Sequence, residues 1–242
     1  MFFSPLEQFS ILSLFPISLG NFYLSFTNSA LFMLLATGTF LLLLSFVTSK
    51  GGLLVPTHWQ SLIELIYEFV ANLVQEQVGE KGKRYFPLIF TLFSFLLVCN
   101  LIGMIPYSFT FTSHIIVTLA LAMGVFIFVT VLGFVKHGVK FFGFFVIPGL
   151  PIYMLPLLIP IEVISYLSRP ISLSVRLFAN MLAGHTLLKV FAGFVSALGF
   201  FGILPLVFII ALTGLEILIA FLQAYVFAIL TCLYINDALH LH

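Results

Sequence analysis

Long apolar runs with almost no charges are the feature that most limits the folds open to this sequence. The first, residues 26–48, is long enough to cross a bilayer core, which takes about 20 apolar residues in a helix. Only 7% of the 242 residues are charged, whereas a soluble domain carries about 25%. So few charges cannot cover a water-exposed surface. The chain is therefore predicted to be an all-α integral membrane protein with a single membrane domain.

Several classes of function are disfavoured at once. The formal net charge is +1, which gives no indication of nucleic acid as a partner. The first twenty or so residues contain no basic leader and no small-residue cleavage site, so the chain is expected to be made where it is used or to be inserted directly. Cys99 and Cys232 lie in apolar runs and fit no disulfide or metal spacing, so they are interpreted as small core residues. No cofactor or metal site is predicted.

Residues 57–80 have a different pattern and are predicted to form an amphipathic helix that lies along a surface. The apolar face consists of Leu62, Leu65, Ile66, Phe69, Leu73 and Val74, and the polar face of Gln60, Glu64, Glu68, Asn72 and Glu76. Thr57 and Gln60 match a capping box, and Gly79 is a stop signal. Helices on lipid headgroups usually carry Lys and Arg, so this acidic face is expected to meet protein or water.

The next two predicted spans, 86–107 and about 113–135, form a transmembrane pair within residues 86–135. Basic residues lie between the first and second spans and again after the third span: Lys50, Lys81, Lys83 and Arg84 in the first cluster, and Lys136 and Lys140 in the second. Both clusters fall on the same side of the membrane. The positive-inside rule then places the N-terminus outside.

Residues 142–237 are predicted to form a long oblique hairpin. Its start is marked by Pro148, Pro151, Pro156 and Pro160, and a glycine-rich turn is expected over 192–205. At 1.5 Å per residue the two segments would be roughly 45–50 Å long, whereas the hydrocarbon core is about 30 Å thick. Both helices are therefore expected to be strongly tilted, kinked or partly unwound, with Pro170 as a candidate kink.

Ionisable and amide side chains are concentrated in this hairpin. They are Glu162, Arg169, Arg176, Asn180, His185 and Lys189 in the first segment, and Glu216, Gln223 and Asp237 in the second. An ionisable side chain at bilayer depth costs at least about 2.5–3.5 kcal/mol on insertion scales. Such residues usually face a water-filled cavity or a partner, so they are candidate functional residues.

Helical spacing places the polar residues of the first segment on two different faces. Glu162, Arg169 and Arg176 are seven residues apart, and Asn180 follows Arg176 by four, so these four lie near one helical face. His185 comes nine residues after Arg176 and points to roughly the opposite face. On the second segment a shared face is predicted as well, for Glu216 and Gln223.

Two sets of titratable side chains that face different directions favour two separate proton paths over one straight pore. Arg176 lies between them and cannot lose its proton in a protein. It would act as a fixed positive charge that holds an approaching carboxylate ionised. Histidine and glutamate can relay protons. The pKa of histidine lies near neutrality, and burial raises the pKa of glutamate toward neutrality.

A structural role competes with a functional one for each of these residues. Arg169 is more simply explained as a support that binds backbone carbonyls or Glu162, and Glu162 could merely pair with an arginine. Lys189 and Asp237 lie near segment ends, where long side chains reach the membrane interface.

The same competition applies elsewhere. A buried salt-bridge cluster is the alternative interpretation for Arg176, His185 and Glu216. In the middle spans, Asn100 and His114 fit hydrogen bonds that hold helices together.

Five stretches of this sequence, spread along nearly the whole chain, resemble one known family in the correct order. The chain resembles subunit a of the F-type ATP synthase, the stator subunit against which the proton-carrying ring turns. The stretches are SPLEQF, YFPLIFTLF, CNLIGMIPYSFTFTSH, SRPISLSVRLFANMLAGHTLLK and GLEILIAFLQAYVFAILTCLYINDALHLH.

The resemblance implies a role for each polar residue of the hairpin. Arg176 matches the essential arginine that faces the ring carboxylate, with Asn180 on the same face and Gln223 nearby on the second segment. His185 and Glu216 match the interacting pair of the half-channel open to the intermembrane space or periplasm. In many bacterial members these two positions hold an acid and a histidine, the reverse of this chain.

The remaining implications concern the second half-channel and the surroundings. Glu162 and Asp237 match the half-channel open to the matrix. The implied partners are the c-ring, the peripheral-stalk subunit b, other membrane-sector subunits, membrane lipid and transported protons. The chain would be a non-catalytic subunit of a proton-translocating enzyme complex. The expected location is the mitochondrial inner membrane, with the N-terminus toward the intermembrane space, or alternatively a bacterial plasma membrane.

Two other functions are less consistent with the sequence. An ion-coupled secondary transporter would usually show internal repeats and broken helices in both halves, whereas here the polar residues are confined to one half. A structural subunit of a respiratory membrane complex would need neither this arginine nor two groups of acids that face different ways.

Overall fold

The structure, a computed structural model, describes residues 7–16, 18–19, 22–23, 25–48, 56–105, 108–138, 141, 143, 153 and 155–239. Within these residues the fold consists of six α-helices and four very short strands. Five segments are long and apolar enough to cross a membrane: Asn28–Thr48, Glu80–Gly103, Ile115–His137, Pro156–Leu198 and Ile203–Leu239. This confirms the predicted class, an all-α protein of several membrane spans.

The N-terminal segment folds back onto the start of the first helix, α1 (Asn28–Thr48). Strand β1 (Ser13–Phe15) pairs antiparallel with β4 (Phe26–Thr27), and β2 (Ser18–Leu19) pairs with β3 (Phe22–Tyr23). Asn28 reinforces this arrangement, since its Nδ2 donates to the carbonyl of Ser10 at 3.2 Å. The sequence patterns did not predict these strands.

Helix α2 (His58–Val78) has the predicted position, and the second half of its predicted apolar face packs against the protein core. Leu62 and Leu65 are exposed, whereas Gln60 is buried and its Nε2 donates to Glu64 Oε1 at 2.8 Å. The reason is that the contacts with the rest of the protein are made mainly by the second half of α2. That half contributes Val70, Leu73, Val74 and Val78 to the core.

The ends of α2 agree with the prediction in part. Thr57 is the N-cap residue, but its side chain makes no capping hydrogen bond, so this half of the predicted capping box is wrong. Gly79 ends the helix as predicted, with a φ of 74° that favours glycine. A 3-10 helix, Glu80–Tyr85, then leads into α3.

Helices α3 (Phe86–Gly103) and α4 (Ile115–His137) form the predicted pair. Helix α3 ends at Gly103, before the predicted residue 107, and two hydroxyl groups bind its last carbonyls. Ser108 Oγ donates to the carbonyl of Ile102 at 2.7 Å, and Thr110 Oγ1 donates to that of Gly103 at 3.2 Å. The connection between the helices is thus attached to the end of α3.

The long hairpin consists of α5 (Leu155–Leu198) and α6 (Ile203–Leu239), with 44 and 37 residues. At 1.5 Å per residue they are about 66 and 56 Å long, more than the predicted 45–50 Å. Helix α5 continues through Pro160 and Pro170 without ending. The predicted irregular start at Pro148 and Pro151 lies outside the described residues, whereas Pro156 already belongs to α5.

The turn of the hairpin is a 3-10 helix, Gly199–Gly202, and is far shorter than the predicted 192–205. It is short because two glycines allow a tight reversal. Gly199 has a φ of +55°, a conformation that side chains disfavour. A Cβ at Gly202 would lie 2.6 Å from the backbone oxygen of Val195, so the chain can return this closely only without a side chain.

The core forms where five of the helices meet. The buried residues include one large side chain from each: Leu73, Phe93, Val125, Leu177 and Phe227. Cys99 and Cys232 are buried free cysteines, which confirms their interpretation as core residues. Helix α1 contributes little to the core, with Ala36 as its buried residue, and contacts mainly α3.

We predict that Gly202→Ala destabilises the hairpin. The new methyl group would overlap the Val195 backbone, and overpacking of this kind costs roughly 1–3 kcal/mol. The measurement is the thermal midpoint of the detergent-solubilised protein, which should fall. Gly193→Ala is the matched control, because nothing lies within 4 Å of a Cβ at Gly193. Equal midpoints for both variants would contradict the prediction.

Candidate functional site

The hairpin brings His185 of α5 into direct contact with Glu216 of α6. The Nδ1 atom of the imidazole and the Oε1 atom of the carboxylate form an ion pair, with side chains that are 13% and 4% exposed. The two residues are 31 positions apart in the sequence and meet because the helices run back along each other. The contact that the resemblance implied is therefore present in the structure.

A third helix fixes the other side of the imidazole. His185 Nε2 lies 2.9 Å from the carbonyl oxygen of Gly103, at the end of α3. A carbonyl oxygen only accepts hydrogen bonds, so Nε2 carries the hydrogen in this arrangement. The Gly103 carbonyl also accepts the hydroxyls of Ser108, at 3.0 Å, and Thr110. The loop after α3 thereby sets the orientation of a side chain on α5.

This orientation determines what the pair can do chemically. With a hydrogen on Nε2, the Nδ1 atom either donates a proton to the Glu216 carboxylate or accepts one from its neutral carboxyl form. One proton between the two atoms makes the contact attractive in both cases. The pair can thus hold one mobile proton. Oε2 of Glu216 makes no hydrogen bond within the described ranges and is open to a further donor or acceptor.

Arg176 lies on another side of α5, as helical spacing predicted. Its side chain is exposed, and within the described part of the chain no hydrogen bond or ion pair engages it. Small exposed residues flank it along the same stripe: Ser168, Ser172, Ala179 and Ala183. Asn180, one turn further on, is half-buried. This face presents a cation among small side chains, so another helix can approach it closely.

Two other predicted residues lie within the hairpin itself, Glu162 on α5 and Gln223 on α6. Glu162 is half-buried near the start of α5 and pairs with no arginine among the residues described. The structure therefore does not support the interpretation of Glu162 as a salt-bridge partner. Gln223 is buried on α6, 6% exposed, on the same helix as Glu216.

Arg169 belongs to a cluster that joins the two helices of the hairpin at the end away from the turn. Its Nη1 lies 3.0 Å from Asp237 Oδ2 on α6, so its acidic partner is Asp237 and not the predicted Glu162. The guanidinium carbon lies 5.3 Å from the Tyr166 ring centroid and 4.9 Å from that of Tyr234, distances typical of cation–π contacts. The Tyr166 hydroxyl in turn is 2.8 Å from Thr130 Oγ1 on α4.

The cluster corrects the interpretation of Asp237 as a residue that simply reaches the interface. Paired with Arg169, it ties the end of α6 to α5. Lys136 adds a second tie there, because its Nζ donates to the carbonyl of Leu239 at 2.9 Å. Lys189 is half-buried on α5, one turn past His185, and its predicted interface role remains a prediction.

The two polar residues of the middle spans differ. Asn100 is fully buried, and its Nδ2 donates to the carbonyl of Ala220 at 3.2 Å, which confirms a hydrogen bond between α3 and α6. His114 lies just before α4 and its ring stacks on Phe109, with centroids 5.2 Å apart. Its Nε2 makes no hydrogen bond within the described ranges, so the predicted helix-packing bond is wrong for His114. Burial lowers the pKa of its imidazole.

Sequence reasoning missed the groups that position the charged residues. Tyr166 and Tyr234 were not singled out, although Tyr166 is three residues before Arg169 and Tyr234 three before Asp237, a helical neighbour in each case. That spacing was an available signal. Gly103 acts through a backbone carbonyl, and no pattern of residue types along the chain marks a carbonyl as special.

Taken together, these features define a helical membrane protein that buries a histidine–glutamate pair within a long hairpin and presents an arginine on the surface of that hairpin. Comparison with known proteins agrees with that class. Residues 30–236 match the model of the ATP synthase A chain family. The chain therefore belongs to this family.

Relatives in both plants and bacteria are similar over their full length. A protein named ATP synthase subunit a from Marchantia polymorpha is 54% identical over 249 residues, covering 99% of each chain. The proteins of the same name from Mesorhizobium japonicum (strain LMG 29417 / CECT 9101 / MAFF 303099) and Pelagibacter ubique (strain HTCC1062) are 58% and 56% identical. They are matched over 98% and 99% of this chain and 96% and 98% of their own.

We predict that Arg169 and Asp237 stabilise the hairpin as a pair. Arg169→Gln and Asp237→Asn should each lower the thermal midpoint of the solubilised protein, whereas the double variant should lose less than the sum. The pair is partly exposed, so a coupling free energy of about 0.2–1 kcal/mol is expected. A double-mutant cycle measures it. Strictly additive effects would show that the contact contributes nothing.

Proposed function

We infer that this chain is the stator subunit a of an F-type ATP synthase membrane sector, which couples transmembrane proton flow to rotation of a c-ring. Family membership and the names of the full-length relatives support this inference. The single structural observation that carries the mechanism is the contact between His185 and Glu216, beside a separate exposed Arg176. These residues supply a proton relay and a fixed charge, and no bond chemistry is required.

In the proposed mechanism, protons enter through the His185–Glu216 pair. The pair accepts a proton, and its release on the other side neutralises a carboxylate of the ring. A neutral carboxyl group can enter lipid, because the cost of burying its charge is removed. The ring can then turn with that carboxyl facing the hydrocarbon.

Arg176 separates the two paths. After nearly a full turn the ring carboxyl releases its proton into a second path and passes Arg176 in the ionised form. The arginine stabilises that carboxylate by its opposite charge and repels protons that would hop directly between the paths. Asn180 on the same helix and Gln223 on α6 are proposed as supporting polar groups. Each charge that crosses the membrane contributes about 2.3 kcal/mol per 100 mV.

The second path is proposed to begin at Glu162. Glu162 lies fourteen residues before Arg176 on α5, at the other end from His185, so the two paths are offset along the helix. Asp237 would belong to the same side. Its pairing with Arg169 supports a positioning role there more than a free proton-accepting one, because the carboxylate is already engaged.

The hairpin is proposed to lie strongly tilted in the membrane. Helices of about 66 and 56 Å exceed the hydrocarbon core about twofold, and a steep tilt is the way for such apolar helices to remain in lipid. The chain is proposed to reside in a mitochondrial inner membrane, with its N-terminus toward the intermembrane space. The alternative is a bacterial plasma membrane, as in the bacterial relatives.

The partners proposed for this chain are the c-ring, the peripheral-stalk subunit b and the other subunits of the membrane sector. The α5–α6 hairpin is the surface offered to the ring, because it presents Arg176 among small residues. Helix α1, whose buried residue is Ala36, is available to lipid and to other subunits.

Arg176→Ala is expected to abolish ATP synthesis while assembly is largely retained. The substitution removes an exposed side chain, so packing is little affected, but it removes the charge that keeps the two paths apart. The measurement is ATP synthesis driven by an imposed proton gradient in vesicles that contain the complex. Arg84→Ala is the control, since Arg84 is also exposed but lies in the 3-10 helix before α3. Unchanged synthesis in the Arg176 variant would refute the role of Arg176.

Glu216→Gln is expected to slow proton conduction roughly 100-fold, in the range typical for loss of a proton-transfer group. Glutamine has nearly the same shape as glutamate but cannot carry the mobile proton. The experiment measures proton flow through the membrane sector after removal of the soluble catalytic part. Wild-type conduction in the Glu216 variant would place the proton path elsewhere.

A further inference from the structure

Gly184 is the residue next to His185, and the Glu216 carboxylate occupies the space where its side chain would be. A Cβ built on Gly184 would lie 2.6 Å from Glu216 Oε1, 3.0 Å from its Cδ and 3.3 Å from its Cγ. Contacts under 3.0 Å are essentially absent from real structures. Other glycines of the same hairpin differ, because nothing lies within 4 Å of a Cβ at Gly193 on α5 or at Gly214 on α6.

We propose that Gly184 is a positioning residue of the proton relay: by having no side chain, it admits the Glu216 carboxylate against α5, where it meets His185. The role rests on the proposed function of the His185–Glu216 pair. Gly184 itself touches no proton on the path. It acts through Glu216, whose place depends on the missing Cβ.

The surroundings of the carboxylate explain why this space matters. Glu216 is 3% exposed, and Ala220 one turn further on α6 is fully buried, so the carboxylate has little room on the side of α6. A Cβ on Gly184 would push Oε1 away from α5, and Oε1 is the atom that contacts Nδ1. The displacement would therefore disrupt the contact between Oε1 and Nδ1.

The imidazole cannot follow a displaced carboxylate without losing its other bond. His185 Nε2 is held at 2.9 Å by the carbonyl of Gly103, which comes from a third helix. That carbonyl is itself fixed by the hydroxyls of Ser108 and Thr110. Two glycines thus define the site, one by a carbonyl that orients His185 and one by a missing side chain that admits Glu216.

Within the described residues, the polar groups that contact His185 are the Glu216 carboxylate and the Gly103 carbonyl. Glu216 is the charged group that meets His185 from α6. The group that meets it from α3 is an uncharged carbonyl, and the ring of Phe9 lies 6.5 Å from the imidazole, centroid to centroid. A change at the Nδ1 atom can therefore be attributed to Glu216.

The test is Gly184→Ala in the assembled complex, with Gly193→Ala and Gly214→Ala as matched controls. Nitrogen NMR of complexes with ¹⁵N-labelled histidine reports directly on Nδ1 and Nε2, and loss of signals in His185→Gln identifies those of His185. In Gly184→Ala the Nδ1 signal should move to the position of a nitrogen without a hydrogen-bond partner. Nε2, held by Gly103, should not move. Neither signal should change in the controls.

Proton conduction through the membrane sector is measured on the same samples. A displacement on the order of 1 Å in a reacting group costs roughly 100-fold in rate, so conduction in Gly184→Ala should fall about 10-fold to 100-fold while the controls conduct normally. An unmoved Nδ1 signal would overturn the inference about Gly184 and leave the proposed function intact. A moved Nδ1 signal with normal conduction would instead show that the pair is not on the proton path, which overturns the proposed function of the pair.

A complex that fails to assemble with Gly184→Ala is also decisive. In that event Gly184→Ala is combined with Glu216→Ala, which removes the overlapping carboxylate. If the overlap is the cause, the double variant assembles as well as Glu216→Ala alone. Failure of the double variant to assemble while Glu216→Ala succeeds would overturn the inference, since Gly184 would then be needed for a reason unrelated to Glu216.

Discussion

The high cost of a charge in an apolar environment governs this structure. An ionisable group at bilayer depth costs several kcal/mol unless it is paired or hydrated, and the α5–α6 hairpin carries most of the ionisable groups of an otherwise apolar half-chain. Two of them, Arg169 and Asp237, compensate each other across the two helices. His185 and Glu216 do the same nearer the turn. The hairpin is thus held together by its polar residues as well as by its packing.

These two pairs are built differently, and the difference suits different tasks. The Arg169 cluster surrounds a permanent cation with two aromatic rings and a carboxylate, and arginine does not release its proton. It can serve as a fixed clamp. The His185 pair joins two groups that both exchange protons, with one carboxylate oxygen left open. Its shared proton can move from one group to the other without breaking the contact, because the contact is attractive in both forms.

Sequence patterns predicted the helices well and the contacts between them only in part. Runs of apolar residues placed α1, α3 and α4 within a few residues of their ends, because length and hydropathy decide whether a segment can span a membrane. The same patterns failed at the turn, where Gly202 approaches Val195, since close backbone approach leaves no pattern of polarity. They gave no indication that the second half of α2 packs against the core while the first half does not, because which half of a helix contacts its neighbours depends on tertiary structure.

The candidate site shows the same division. Helical spacing correctly separated Arg176 from His185, because the period of an α-helix is fixed. It did not pair Arg169 with Asp237, since the relative register of two helices 37 and 44 residues long is set by the turn between them. Helical spacing also could not predict the roles of Gly103 and Gly184. One acts through a carbonyl and the other through an absent atom, and neither property is distinctive in a chain with 17 glycines.

Arg176 differs from the paired charges of the hairpin. Its neighbours Arg169 and His185 have partners within the chain, whereas Arg176 faces outward among small residues and is engaged by no ion pair in the described ranges. A cation on an apolar surface is costly, so an opposite charge from outside the chain is the simplest compensation. In the proposed function, a ring that carries carboxylates past this surface supplies that charge repeatedly. Because no ion pair with Arg176 forms among the described residues, the proposal lets each carboxylate bind and then leave, as rotation requires.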